Sequence, residues 1–492
     1  MSILPRRAFL LATGAAASAH SASRVFNIQH YGAAAGQRTL STAAIQRAID
    51  ACAASGGGQV LVPPGTFLTG GVVLKDRVNL HLSDGAVLLG SPWVRDYAPH
   101  APRSKARYDR FLLTSLLFAQ GAGGISVTGK GTLNGNSQGE NDFISKDRVE
   151  KHRPCLIWFD ECANVSVRDV TFTSSGFWTE TYTRCRNLHV GGITVRDSTF
   201  RNNDGCNIID CDNAIVENCN IDALDDGICL KGYTSAGCRN VVIRNNRVRS
   251  LCNGIKAGTD SSGGFQNILI ENNVVWQTGI AGLALELVDG GVMRNVIVRN
   301  LAMDVVETPI FIRLGDRNRP IVTDSGDAVP ATGVLEDIHI SGIRAQVNDA
   351  EKHSSAERAM HNYLPYASSI TGIPGRPVQR VFIDDVDIEI LGGFPPGTQE
   401  DARRVVPENS RAYPENRMFG VLPASAFYVR HARDIHLSNM RVSLRQPDAR
   451  PVFVLDDVHD SSFHSVRVNT VTPAPSFRLE ENCSAVQGIS AP

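Results

Sequence analysis

Asn164-Val165-Ser166-Val167 returns along the chain as Asn187-Leu188-His189-Val190, Asn213-Ala214-Ile215-Val216, Asn240-Val241-Val242-Ile243, Asn267-Ile268-Leu269-Ile270 and Asn295-Val296-Ile297-Val298. The intervals are 23, 26, 27, 27 and 28 residues. Each echo is a short β-branched segment with alternating pattern, bracketed by Asn, Asp or Gly, and reads as a strand. No segment between echoes is long or periodic enough for a crossover helix, which excludes a doubly wound α/β fold. Propeller blades repeat at about 40–50 residues, too long for this spacing. Successive short strands at this period predict an all-β, single-stranded parallel β-helix, with Asn side chains bonding along the stacked turns.

The pattern extends in both directions. Later echoes stand at Asp337-Ile338-His339-Ile340, Val381-Phe382-Ile383 and Asp434-Ile435-His436-Leu437, interrupted by expected loop insertions at 346–378 and 390–425. Upstream, Ser41 is an N-cap candidate for an apolar-periodic helix over 41–54, stopped by Gly56-Gly57-Gly58. Such a helix would cap the open end of the solenoid. Gln59 to Phe67 then reads as a short strand and a turn.

Inside the repeats, Asn203-Asp204-Gly205 is followed by Asp225-Asp226-Gly227, placing acids 21 and 22 residues apart. On a coil of that length they stack on one wall, with strands roughly 4.8 Å apart. Carboxylates that close repel, so at least one holds its proton near neutral pH. A protonated acid beside an ionised one is what glycosidic bond cleavage requires. The competing reading is that each Asp-Gly merely shapes a turn.

Composition narrows the partners. Lys and Arg total 49 against 50 Asp and Glu in 492 residues, for a net charge of -1. No global basic field invites nucleic acid, and the expected partner is a polysaccharide or oligosaccharide bound by a monomer. Arg6-Arg7 before the weakly apolar run Ala8 to Ala19, with Ala17-Ser18-Ala19 as a cleavage site, reads as a twin-arginine-type export signal. The expected division is an export signal at 1–22 and a catalytic β-helix at 23–492, with the mature chain starting near His20 to Ser23. Its destination is the periplasm or the extracellular space. The run is too short to span a bilayer, and no later segment reads as a span. Eleven cysteines, an odd number without short-spaced framework, predict buried unpaired thiols stacked coil upon coil. His and Cys show no ligand spacing, so no metal or cofactor is expected.

Taken together, these residues resemble family 28 of the glycoside hydrolases, the polygalacturonase family, and its bacterial members in particular. The resemblance runs through Pro63-Pro64-Gly65-Thr66-Phe67-Leu68-Thr69-Gly70, Asn79-Leu80-His81-Leu82 to Leu89-Gly90-Ser91, Gly131-Thr132-Leu133-Asn134-Gly135 and Phe177-Trp178-Thr179. It continues in the two acid motifs, in Ser368-Ser369-Ile370-Thr371-Gly372-Ile373-Pro374-Gly375, and from Tyr413-Pro414-Glu415 to Met418-Phe419-Gly420. It implies a right-handed β-helix and an inverting hydrolysis in which Asp225 protonates the leaving oxygen. Asp204 and Asp226 then position and deprotonate water, and Lys231 matches the lysine that commonly follows the acid pair.

Several positions depart from the family pattern. Cys252-Asn253-Gly254 stands where Gly-His-Gly is usual, and Ala284-Leu285-Glu286 where Arg-Ile-Lys commonly grips a substrate carboxylate. Lys256 and Arg313 are the candidates to restore positive charge, as substrate-binding residues or as ordinary paired side chains. Trp178 and Tyr182 are candidates for a sugar-stacking platform or for covering a coil edge. Two alternatives to hydrolysis stay open: a β-helix polysaccharide lyase or epimerase with Lys256 as its base, and a glycan-binding protein that has lost catalysis.

Overall fold

The computed structural model describes residues 24–101, 112–142, 153–197, 202–323, 326–328, 332–347, 366–392, 405–471 and 475–488. The expected export signal at 1–22 lies outside them. Almost every strand joins one continuous, wholly parallel sheet wound into a right-handed β-helix, as the repeat predicts. Each coil contributes to three ladders. One runs through Cys155–Asp160, Glu180–Thr183, Cys206–Ile209, Ile228–Gly232 and Ile255–Ser261. The second holds the Asn-led echoes, and the third runs through Thr171–Thr173, Thr194–Asp197, Asn220–Ala223 and Arg247–Ser250.

The leading asparagines do two jobs at once. Asn164, Asn187, Asn213, Asn240, Asn267 and Asn295 all take positive φ between 55° and 59°, the left-handed region that Asn tolerates best after glycine. Their side chains also chain together: Asn187 donates to Asn164 at 2.9 Å, Asn213 to Asn187 at 2.8 Å, and Asn295 to Asn267 at 2.8 Å. The ladder skips once, where Asn240 donates instead to Asp212 at 2.7 Å. Inward-facing residues from all three ladders, such as Ile208, Leu230, Val216, Ile243 and Val248, fill one continuous apolar core.

The capping helix spans Thr42–Ala54 and buries Ala44, Ile45, Ala48, Ile49 and Cys52 on the first coil. Ser41 does not cap it. Its hydroxyl bonds the backbone of Ala34 instead, because a tertiary partner outcompetes the free helix N–H groups. The helix ends where Gly56 and Gly57 take φ of 95° and 110°. All eleven cysteines are free thiols, buried except for the partly exposed Cys252 and Cys483.

The expected insertions need correction. Val334–Val347 stays in strand, and Ser368–Thr371 is a full member of the first ladder, pairing with Phe311 to Arg313 on one side and with Phe427–Leu444 on the other. Of the second insertion, 405–425 folds back along the outside of the same ladder. It seats Val406, Phe419, Leu422 and Ala424 against Ala284, Phe311, Tyr428 and Val454. The outer face of that ladder is therefore buried as well as its inner one.

Candidate active site

Register explains why the acids meet. Cys206 pairs with Ile228 and Ile228 with Ile255, so Asp204, Asp226 and Asn253, each two residues upstream of one of these, stack at successive corners. Their following glycines carry the backbone contacts: Gly205 N–H donates to Asp226 C=O at 2.9 Å, and Gly227 N–H to Asn253 C=O at 2.8 Å. These glycines are demanded by space. A Cβ on Gly205 would stand 2.6 Å from Gly227 O, and one on Gly227 2.3 Å from Val248 Cγ1 and 2.7 Å from Gly254 O. The Asp-Gly pairs are coil-packing residues, and the Asp204 and Asp226 side chains are nearly buried at these corners.

Two lysines thread between the carboxyls. Lys231 Nζ lies 2.7 Å from Asp204 Oδ2, donates also to Asn207 Oδ1, and sits 4.4 Å from the centre of the Trp178 ring. Lys256 Nζ lies 3.2 Å from Asp226 Oδ2 and 3.7 Å from Glu286 Oε2. Asn253 Nδ2 donates to Asp226 Oδ1 at 2.7 Å. Asp225 is partly exposed, and its Oδ1 accepts the Asp226 backbone N–H at 2.9 Å.

The three acids are driven apart in acidity. Burial raises Asp225, and the Asp226 charge raises it further. Asp226 feels the same burial, yet Lys256, Lys231 and the Asn253 amide outweigh it and hold its carboxyl below the usual range. Burial pushes Asp204 up to about 7, with Lys231 opposing and Asp225 and Asp226 reinforcing. Glu286 is likewise pushed up to about 7 by burial, against Lys256 and with Asp226. Both lysines stay protonated: burial favours the neutral amine, but the carboxylates raise Lys231 and Lys256 above an ordinary lysine. Adjacent acids with opposite shifts are the pairing that acid–base catalysis uses.

Other expected site residues fall differently. Arg313 is 1 % exposed and donates to the carbonyls of Gly372 at 2.9 Å and Glu408 at 2.8 Å. It clamps the two insertions to the ladder and is buried there, out of reach of solvent. Trp178 is buried, stacked 4.9 Å from Phe177 beneath Lys231. Tyr182 is fully buried with its hydroxyl donated to Glu180. Tyr182 lies in the coil core, whereas Trp178 precedes the strand Glu180–Thr183 and packs in a separate cluster with Phe118, Trp158 and Phe177; buried in this way, neither ring is laid open for sugar stacking. Asn203 holds that corner by donating to the carbonyls of Ser175 and Phe177 at 3.0 and 2.9 Å.

Residues not expected at the site include Asn207 and Tyr413. Tyr413 is half exposed, its ring centre 5.8 Å from Lys256 Nζ, with its hydroxyl accepting from Thr259 at 3.0 Å. The similarity of the Tyr413-Pro414-Glu415 segment to bacterial family members was the signal for it; the fold brings it across more than 150 residues. Asp204, Asp226 and Cys229 present atoms within 4.8 Å of one another. That set fits a metal poorly, because Lys231 and Lys256 already bring cationic groups against both carboxyls and burial holds the Cys229 thiol far above its usual range.

The family model of glycosyl hydrolases family 28 matches residues 109–357, which include the whole acid cluster. The chain belongs to glycoside hydrolase family 28. A probable polygalacturonase of Vitis vinifera is 30% identical over 224 residues, covering 43% of this chain and 44% of the relative. An exo-poly-alpha-D-galacturonosidase of Dickeya chrysanthemi is 28% identical over 252 residues, covering 42% and 41%. The chain thus matches less than half the length of these curated relatives. Among solved structures, the family 28 exopolygalacturonase of Yersinia enterocolitica has a TM-score of 0.61 at 20% identity, over 96% of this chain and 79% of that one. The hyperthermoactive exopolygalacturonase of Thermotoga maritima has 0.59 at 23%, over 74% and 87%. Both share the fold of this family 28 chain.

Proposed function

We propose that the chain is an inverting glycoside hydrolase of a pectic or related polysaccharide, exported from the cell and working as a monomer. Asp225 gives its proton to the glycosidic oxygen as the bond from that oxygen to the anomeric carbon breaks. Asp226 takes a proton from water, whose oxygen forms the new bond on the opposite face, and Asp204 with Lys231 orients that water. The observation that carries this reading is the stacking of Asp204 and Asp226 at successive coil corners beside Asp225, with Lys231 2.7 Å from Asp204 and Lys256 3.2 Å from Asp226. The lyase alternative is disfavoured because it needs a neutral amine at Lys256, while Asp226 and Glu286 keep that amine charged.

The test is the stereochemistry of the first product, followed by proton NMR during hydrolysis of a pectic oligosaccharide. Inversion at the anomeric carbon is expected. A retained configuration, or a product absorbing as an unsaturated uronate, rejects the mechanism. Asp225→Asn should lower turnover by about 10²–10⁴-fold. The amide oxygen still accepts the Asp226 N–H, so the thermal midpoint should barely move.

A further inference from the structure

Away from the acids, a cavity of about 350 Å³ opens on the first coils of the solenoid. It is lined by Leu68 and Leu89, which pair on successive coils of the third ladder, and by Asn136 just past the next strand, Thr132–Asn134. That ladder runs on from Leu89 through Asn134 and Thr173 to Arg196, in the strand that leads toward Asp204. Three spacings of roughly 4.8 Å put the cavity about 15 Å along the axis from the Asp204 coil. Its size lies within the range of about 300–1,000 Å³ common to small-ligand sites.

The rim combines an aromatic ring with unpaired polar groups. Trp158 and Trp178 are buried, whereas Trp93 is partly exposed and lines the cavity. Its surroundings are fixed by local bonds. The Trp93 N–H donates to Ser91 Oγ at 3.2 Å, and the Ser91 hydroxyl donates to Asp96. The Val94 N–H donates to Asp142 Oδ1 at 2.7 Å, and the Tyr97 hydroxyl to the Ser91 carbonyl at 2.8 Å. Both nearby carboxylates are therefore engaged by neighbours of the ring. Across the cavity stand Gln37, Arg38 and Leu40, all exposed, Leu40 by 45 %. Neither Gln37 nor Arg38 has a side-chain hydrogen-bond or ion-pair partner among the described residues. Arg95 adds a second exposed guanidinium, 5.4 Å from the Trp93 ring centre.

We propose that this cavity is an accessory binding site for a uronate-bearing oligosaccharide, with Trp93 under the face of a sugar ring and Arg38 on its carboxylate. An indole offers a large apolar face with a polar edge, which suits a ring that is apolar on its faces and hydroxylated at its rim. A guanidinium pairs with a carboxylate through two parallel N–H bonds. The amides of Gln37 and Asn136 bring hydrogen-bonding groups to the same space. A small inorganic anion would leave Trp93 and the leucines unused, and a neutral sugar would leave Arg38 unused. A polysaccharide held here raises its own local concentration at the acid cluster. The site lies beyond the hydrolase reading, since binding at it needs no catalysis.

The test is calorimetric titration of trigalacturonate, and of the same trimer with its carboxyls reduced, into the full chain carrying Asp225→Asn so that the probe is not consumed. One binding event should weaken about 10-fold or more in Arg38→Ala and in Trp93→Ala, and should largely return in Trp93→Phe, which keeps a ring. The reduced trimer should bind at that event about 10-fold or more weakly. A further event at the acid cluster is told apart by its indifference to Arg38→Ala. Thermal midpoints accompany each variant. If Trp93→Ala melts early, Arg38→Ala, an exposed side chain without a partner, decides alone. Isotherms unchanged by Arg38→Ala, equal affinity for the reduced trimer, or no binding at all overturns the proposal. Turnover by the wild type is followed separately: none, with the binding as expected, rejects the hydrolase reading and keeps this site, whereas turnover with isotherms untouched by the variants rejects this site alone.

Discussion

Asn253 Nδ2 donates to Asp226 Oδ1 at 2.7 Å across one turn of the coil, so an amide one corner along stabilises the charged form of the acid below it. The family usually places a histidine at this position. A histidine there would titrate near neutrality, whereas the amide offers the same donor at every pH.

Replacing Asn253 with Ala removes that donor and should raise the acid-limb pKa of kcat/KM, because Asp226 then protonates at higher pH. The alkaline limb, set by loss of the Asp225 proton, should move less. A full pH profile of wild type and variant reads both limbs. An unmoved acid limb would separate Asp226 from the base role.

Lys231→Met deletes one partner of a buried ion pair and leaves Asp204 without its cation. Breaking such a pair costs about 3–5 kcal/mol where the remaining charge stays buried. Asp204 can escape part of that by holding its proton, so the loss in urea stability should be small at pH 5 and larger at pH 8. A loss equal at both pH values contradicts the pairing.

Gly227→Ala puts a methyl group 2.3 Å from Val248 Cγ1 and 2.7 Å from Gly254 O. Overpacking of this kind costs about 1–3 kcal/mol, and the shift is delivered to the neighbouring Asp226. Both the denaturation midpoint and kcat should fall. A variant with wild-type stability would mean that the coils stack more loosely than this.

Glu180 lies buried beneath the site, where loss of solvation pushes its carboxyl from 4.5 up to about 8, with the Tyr182 hydroxyl opposing. The folded state therefore binds a proton that the unfolded state releases across that window. Stability falls as pH rises from about 4.5 to about 8, by up to ~1.4 kcal/mol per unit for one proton. Glu180→Gln should flatten the decline in thermal midpoint over the same range. An identical slope in the variant would place the proton on another buried carboxyl.

The solenoid could be read from sequence because its cause is local. An Asn that tolerates left-handed backbone, followed by β-branched alternation, defines a strand wherever it occurs, and the interval between copies is the coil length. The acid pairing follows from the same arithmetic, since a 22-residue interval puts Asp226 on Asp204. Local rules could not say which way each side chain is used once it is there. Arg313 and Lys256 are both basic residues on outward positions of the first ladder, yet one clamps distant carbonyls of Gly372 and Glu408 and the other enters the acid cluster. Trp178 and Tyr413 are both aromatic, and only the return of 405–425 over the ladder decides that Tyr413, and not Trp178, stands at the open edge. Periodicity in sequence determines register, because neighbouring coils repeat one another. The clamp on Arg313 and the place of Tyr413 depend on segments 59 to 154 residues away along the chain, and only the folded chain brings those together.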